Sequence, residues 1–237
     1  MTSVVFPGQG SQYFGMTKDF YDNFIVSKRI FEEVEEYTKL SLKKIIFEED
    51  NKLIDNTKYT QICIFASSLM IFKALENEKI IDNSSIEFML GHSLGEYTAL
   101  ACSNKIEIED CCLILKKRGE LMNDAVPEKT TAMAALIGLD SEKINLIIKE
   151  NNLDLEIAND NSPMQVVISG EIEKISKCEE IFLKNDVKKY VILNVSAAFH
   201  SKYMIEAQKE LSKQIVDLKF MYNDINIISN YTAEISN

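Results

Sequence analysis

The sequence predicts an α/β fold, and three observations carry the prediction. Short apolar runs alternate with longer amphipathic stretches, the rhythm of strands joined by helices. A Gly91-His92-Ser93-Leu94-Gly95 pentapeptide stands between an apolar run and a helix start, the pattern of a sharp strand-to-helix turn. From residue 131 the rhythm changes to strand, helix, strand, strand, helix, strand, the βαββαβ order of a ferredoxin-like unit. The predicted arrangement is a large α/β body, residues 1–128 and 198–237, with a small ferredoxin-like subdomain, residues 129–197, inserted in it.

Residues 3–6 read as the first strand, broken by Pro7-Gly8-Gln9-Gly10-Ser11-Gln12, whose glycines force a loop where backbone can approach a ligand. That loop is not a dinucleotide fingerprint, because Tyr13 stands where a third glycine would be needed. Apolar residues recur at helical spacing through 24–37, 61–75 and 107–123. The run 86–90 is a strand and residues 96–102 open a helix, so the pentapeptide has on both sides the context a nucleophile elbow requires. The large body is accordingly expected to be α/β-hydrolase-like, with a parallel sheet. In the insert, strands are expected at 133–137, 153–158, 165–169 and 188–195, and helices at 141–150 and 172–184. Asp140-Ser141 caps the first of these helices, and Gly170 closes the second hairpin strand. His200 follows where the chain leaves the insert.

Composition bounds the function. The 237 residues are 46% hydrophobic, enough for a substantial core. The first residues lack the basic start and long apolar run of a signal peptide, and no stretch has the length of a membrane helix, so a cytoplasmic protein with no membrane partner is expected. Cys63, Cys102, Cys111, Cys112 and Cys178 form an odd set without CxxC spacing, which indicates buried small hydrophobes and neither disulfides nor a metal. The sequons Asn83-Ser84-Ser85 and Asn230-Tyr231-Thr232 are then chance matches. A formal net charge of -11 excludes a nucleic-acid partner. An acidic partner would need a local basic patch, for which Lys116-Lys117, Lys188-Lys189 and Lys202 are the candidates.

The chain has two histidines. One, His92, is part of the elbow, so His200 is the imidazole left to take a proton from Ser93, whose hydroxyl is a poor nucleophile without a base. The plain alternative is a helix that begins at a serine cap.

These motifs together resemble those of malonyl-CoA:acyl carrier protein transacylases and the related acyltransferase domains of polyketide synthases. Pro7-Gly8-Gln9-Gly10-Ser11-Gln12 is similar to that family's N-terminal loop, and Gly91-His92-Ser93-Leu94-Gly95-Glu96-Tyr97 to its elbow. Arg118-Gly119-Glu120-Leu121-Met122 resembles its carboxylate-binding helix, and Ala198-Phe199-His200-Ser201 the segment of its base. Asn159-Asp160-Asn161-Ser162-Pro163 with Gln165-Val166-Val167 resembles its small-domain segment.

The resemblance implies a ping-pong transfer in which Ser93 takes malonyl from malonyl-CoA as an ester and passes it to the phosphopantetheine thiol of an acyl carrier protein, with His200 as base and then acid. It implies an oxyanion hole from the backbone N–H groups of Gln9 and Leu94, and a carboxylate clamp at Arg118, with Gln61, Phe199, Asn161 and Met122 about the substrate. Leu94 and Phe199 are similar to the pocket residues of malonyl rather than methylmalonyl enzymes. Lys188, Lys189 and Lys202 are the expected carrier-binding residues. The CoA thioester is a substrate, no cofactor or metal is expected, and a monomer is expected. Both fatty acid and polyketide biosynthesis use this chemistry. The family continues beyond the equivalent of Asn237 with more helix and a glycine-rich final strand, so the C-terminal part of the large body is expected to be missing here. Two other readings stand beside this one: an acyl hydrolase of the same family, and an inactive carrier-protein binding fragment.

Overall fold

The computed structural model describes residues 2–48 and 52–236. In chain order the elements are β1 (Thr2–Phe6), α1 (Lys18–Asn23), α2 (Ile25–Thr38), α3 (Thr57–Asn77), β2 (Ile86–Gly91), α4 (Gly95–Cys102), α5 (Ile108–Asp124), β3 (Thr131–Ile137), α6 (Ser141–Glu150), β4 (Glu156–Ser162), β5 (Gln165–Glu171), α7 (Ile172–Lys177), α8 (Glu179–Lys184), β6 (Lys189–Ile192), α9 (Ile205–Ile215), β7 (Asn226–Ile228) and β8 (Ile235–Ser236). Two compact bodies form, one from Met1–Gly119 with Leu211–Asn237 and one from Glu120–Glu210. Among the described residues no helix is long and apolar enough to cross a membrane.

The first body is built on a sheet in the order β1-β2-β7-β8. β1 pairs with β2 in parallel, Phe6 opposite Gly91, and β2 with β7 in parallel, Met89 opposite Ile227. The expectation of a parallel sheet needs one correction, because β8 adds to β7 antiparallel. The cause is a tight turn: the Ser229 N–H donates to the Glu234 carbonyl, the Ala233 N–H to that of Ser229, and Ala233 takes a φ of 57° that reverses the chain. α3 is the central helix. It is apolar on nearly every side, and Ile62, Cys63, Phe65, Ala66, Leu69 and Met70 are all buried, as expected for a helix enclosed by its neighbours. Its start is set by Asn56, whose side chain accepts from the Lys58 N–H. α1 and α9 were not legible in the apolar pattern, since α1 buries no side chain and α9 buries only Ala207.

The second body is an antiparallel sheet in the order β4-β5-β3-β6. β3 is interior and has buried residues on both faces. Ala134 and Leu136 meet Ile144, Ile147, Ile175 and Phe182, while Met133 and Ala135 meet Met122, Val167 and Phe199. Asp140 caps α6 by accepting from the Lys143 N–H.

Three expectations change here. The strand expected at 153–158 lies at Glu156–Ser162 and includes Asn159-Asp160-Asn161, poor strand formers that are held by pairing to β5 across two irregularities of register. The helix expected at 172–184 is broken at Cys178, because the Ile175 carbonyl that would continue it accepts instead from Tyr190 Oη at 2.6 Å and Cys178 Sγ at 3.3 Å. Gly170 does not end its strand: it pairs with Ala132 inside the sheet, where a Cβ would come within 2.7 Å of Leu155. All five cysteines are buried free thiols, and burial pushes Cys111 up to about 12.

Candidate active site

The elbow is shaped by close approach of backbones. β2 ends at Gly91, where a Cβ would fall 2.0 Å from the Gly95 carbonyl carbon, and a Cβ on Gly95 would fall 2.6 Å from the Phe6 carbonyl oxygen. Only hydrogens fit at either place, so α4 turns back directly over β2 and β1. The His92 N–H donates to the Phe6 carbonyl at 3.0 Å and the Gly95 N–H to the His92 carbonyl at 2.9 Å, which locks the turn. Ser93, at its apex, has a φ of 52°. A non-glycine residue in that region stores about 1–3 kcal/mol, the expected signature of a side chain lifted out of an elbow.

The Pro7–Gln12 loop lies against this turn. A Cβ on Gly8 would come within 2.5 Å of His92 backbone oxygen and ring nitrogen alike. Gln9 is anchored by its side chain, Nε2 donating to Thr57 Oγ1 at 3.0 Å, and Gln12 Nε2 donates to Asp55 at 3.1 Å. Among the described residues, the backbone N–H groups of Gln9 and Leu94 donate to no hydrogen bond, so both are available to an incoming oxygen. The Leu94 side chain is fully buried in the core.

Arg118 reaches the nucleophile from α5. A Cβ on Gly119 would sit 2.9 Å from the Thr57 and Lys58 carbonyls, so α5 runs hard against the start of α3 and presents Arg118 to it. Its Nη1 donates to Gln61 Oε1 at 2.5 Å and its Nη2 to Ser93 Oγ at 3.0 Å, and its guanidinium lies 5.8 Å from the Tyr97 ring centre. Both hydrogen-bond acceptors are neutral. Burial pulls Arg118 below the usual arginine value, while Tyr97 and Glu96 pull it back. A cation with a rigid two-pronged donor set and neutral partners is chemically suited to a carboxylate.

Ser93, Leu94, Gln9, Gln61 and Arg118 are thus gathered in the first body; the other expected site residues belong to the second. His200 is exposed with a φ of 53°, on a turn held by buried neighbours: Ala197, Ala198 and Phe199 are at most 5% exposed. The Ala198 N–H donates to Thr131 Oγ1 at 2.9 Å, Ser201 Oγ to the Ala198 carbonyl at 2.6 Å, and the Lys202 N–H to Glu156 at 3.0 Å. Phe199 and Met122 share one apolar cluster with Met133 and Val167. Asn161 is exposed on β4. Lys188 and Lys189 are exposed, whereas the Lys202 ammonium is engaged by Asp154 at 2.8 Å. Among the described residues no group of three or more His, Cys, Asp or Glu is placed to hold a metal ion.

The structure adds a residue that the sequence left as a chance sequon. Asn230 Oδ1 accepts from the Ser93 N–H at 3.0 Å, its Nδ2 donates to the Gly91 carbonyl, and its own N–H donates to the Glu96 carboxylate at 3.1 Å. No local pattern could have found it, since it stands 137 residues from Ser93.

Comparison with known proteins agrees with this geometry. A family model, the acyl transferase domain, matches residues 4–236. The chain is 34% identical to the malonyl CoA-acyl carrier protein transacylase of Bacillus subtilis (strain 168), over 98% of this chain and 73% of that protein. It is 35% identical to the polyketide biosynthesis malonyl CoA-acyl carrier protein transacylase PksC of the same strain, over 99% of this chain and 79% of that protein. Its fold is similar to the crystal structure of an acyl-carrier-protein-S-malonyltransferase from Bartonella henselae, with a TM-score of 0.92, 32% identity, and coverage of 100% of this chain and 76% of that one. It is likewise similar to a malonyl-transacylase solved in complex with a type II PKS acyl-carrier protein, with a TM-score of 0.91, 33% identity, and coverage of 99% and 75%.

Proposed function

The chain belongs to the acyl transferase domain family, and from that membership we propose that it moves malonyl from malonyl-CoA, through an ester on Ser93, to the phosphopantetheine thiol of an acyl carrier protein. In the first half-reaction Ser93 Oγ attacks the thioester carbonyl as His200 takes its proton. The tetrahedral oxyanion is held by the Gln9 and Leu94 N–H groups, and its collapse expels CoA, to which His200 returns the proton. The second half-reaction reverses these steps with the carrier thiol as nucleophile. His200 is assigned the proton because the chain has two imidazoles and that of His92 is enclosed in the elbow, against Gly8.

The observation that carries the reading is the Arg118 guanidinium donating at 3.0 Å to the nucleophile and at 2.5 Å to Gln61. A free acyl carboxylate is the partner that would satisfy it, which favours malonyl over uncharged acyl groups and disfavours an acyl hydrolase of broad range. Gln61 orients the guanidinium; Phe199, Met122 and Asn161 shape the acyl and pantetheine path; Lys188, Lys189 and Lys202 face the acidic carrier. The sheet order β4-β5-β3-β6, antiparallel throughout, supports reading residues 129–197 as a ferredoxin-like insert in an α/β-hydrolase-like domain. Buried free thiols and a CoA thioester substrate suit the cytoplasm, with no cofactor needed, in fatty acid or polyketide biosynthesis.

The test is intact-protein mass spectrometry after mixing with malonyl-CoA or acetyl-CoA, repeated after adding carrier protein, with Ser93→Ala as control. A malonyl adduct on Ser93 that acetyl-CoA does not give, and that moves to the carrier, is the expected result. An adduct lost to water would replace the reading with hydrolysis, and absence of any adduct would leave a carrier-binding fragment.

A further inference from the structure

Asn230 touches the nucleophile elbow at three points. Its side-chain oxygen accepts the Ser93 N–H at 3.0 Å and its side-chain amide donates to the Gly91 carbonyl, so one planar group spans the last residue of β2 and the residue at the apex. Its backbone N–H donates to the Glu96 carboxylate at 3.1 Å, in the first turn of α4, which fixes the Asn230 backbone relative to the helix. Ser93 is held in the left-handed region, a conformation that persists only when the surroundings determine it. Of the contacts that do so, the Asn230 pair acts directly on the Ser93 amide, hence on the plane of the 92–93 peptide and on the direction of the Ser93 side chain and the Leu94 N–H that follows it. Asn230 itself is exposed and contributes nothing to the apolar core.

We propose that Asn230 is a positioning residue for the acyl-transfer step, an amide brace that aims Ser93 Oγ and the Leu94 N–H together. The proposal rests on the reading of Ser93 as the acylated nucleophile. It predicts an effect on the chemical step and little on substrate affinity, since the brace touches the turn and neither Arg118 nor Gln61. A misplacement of the reacting atom by about 1 Å lowers rates by about 100-fold.

The experiment is rapid-quench acylation of the full chain by malonyl-CoA, read as the mass of the Ser93 ester, for the parent, Asn230→Ala and Asn230→Asp, with thermal unfolding of each. The acyl transferase reading fails if the parent forms no ester, whatever the variants do. Given a parent ester, Asn230→Ala is expected to acylate about 100-fold more slowly at saturation, with the malonyl-CoA concentration for half-maximal rate within threefold of the parent and the malonyl-over-acetyl preference unchanged. Asn230→Asp keeps an acceptor for the Ser93 N–H but lacks the donor to Gly91, and is expected between the two. A parental saturating rate in Asn230→Ala overturns the proposal, as does a loss that appears wholly as weaker binding. Should Asn230→Ala fail to fold, a parental rate in Asn230→Asp overturns it on its own.

Discussion

Replacing Arg118 with alanine removes a guanidinium that donates to Ser93 Oγ at 3.0 Å and to Gln61 Oε1 at 2.5 Å in the free protein. In the acylation step the same two-pronged donor set is turned to the malonyl carboxylate. Hydrogen bonds to charged groups contribute about 1.5–3 kcal/mol each, so a two-bond clamp contributes about 3–5 kcal/mol once shared losses are allowed for. At about 1.36 kcal/mol per decade, Arg118→Ala should lower kcat/KM for malonyl-CoA by about 10² to 10⁴. Acetyl-CoA makes neither bond and gains from removal of an uncompensated cation, so its rate should hold or rise, and the malonyl-to-acetyl ratio should collapse. Arg118→Lys keeps a point charge without the fork and should fall between. The assay is the rate of ester formation on Ser93 with each thioester, per correctly folded molecule. The folding control is essential because Gln61 is fully buried and loses its donor, which costs about 1–3 kcal/mol of stability in its own right. An unchanged malonyl-to-acetyl ratio in well-folded Arg118→Ala would refute the reasoning, because the guanidinium would then be serving the fold and not the acyl group.

Gly95→Ala puts a Cβ 2.6 Å from the Phe6 carbonyl and 2.8 Å from that of Pro7, against backbone that cannot yield; we expect about 1–3 kcal/mol lost in urea unfolding together with loss of acylation, and a fully active variant would show that the elbow is looser than described. Lys188→Glu with Lys189→Glu should slow transfer to the carrier while leaving self-acylation from malonyl-CoA intact, and equal loss in both half-reactions would remove these lysines from carrier docking. Asp154, hydrogen-bonded by Lys174 and then Lys202, is held down to about 2 from 3.8. A depressed carboxyl stabilises the folded state above its unfolded value and loses that contribution as pH falls from about 4 to about 2. Asp154→Asn should therefore lower the melting temperature at pH 6 and make no difference near pH 2, whereas the same offset at both values would count against the ion pairs. Thr57→Val removes the acceptor that anchors Gln9 and should slow acylation without altering the preference for malonyl, measured in the same quench assay; a parental rate would show that Gln9 is positioned by its glycine neighbours alone.

The elbow and the arginine were legible before any coordinate because their signals are local. A strand, a glycine two residues to each side of a serine, and a helix start within a dozen residues leave one backbone shape open, and the model places Ser93 at a φ of 52° in that shape. The helix at α3 was legible as an apolar stretch, although its first turn was not, since Thr57 to Thr60 are polar and their burial depends on contacts such as that of Thr60 Oγ1 with the Ile54 carbonyl. The helix expected through 172–184 failed for a reason that helical periodicity cannot contain: Tyr190, on a later strand, takes the carbonyl that the helix needed.

Chain spacing thus determined the α/β class, the nucleophile, the loop that carries Gln9 and the candidacy of Arg118, each through backbone sterics or side-chain chemistry acting over a few residues. Tertiary structure decided which groups those residues meet. It paired Arg118 with Gln61, 57 positions away, and with Ser93, 25 away; it reversed the chain at Ala233 to make β8 antiparallel; and it brought Asn230 across 137 residues to brace the turn. Hydrogen bonds of this kind follow from where the packed helices and strands come to rest, because a donor and an acceptor distant in the chain are indistinguishable from any other polar residues until the core has set their separation.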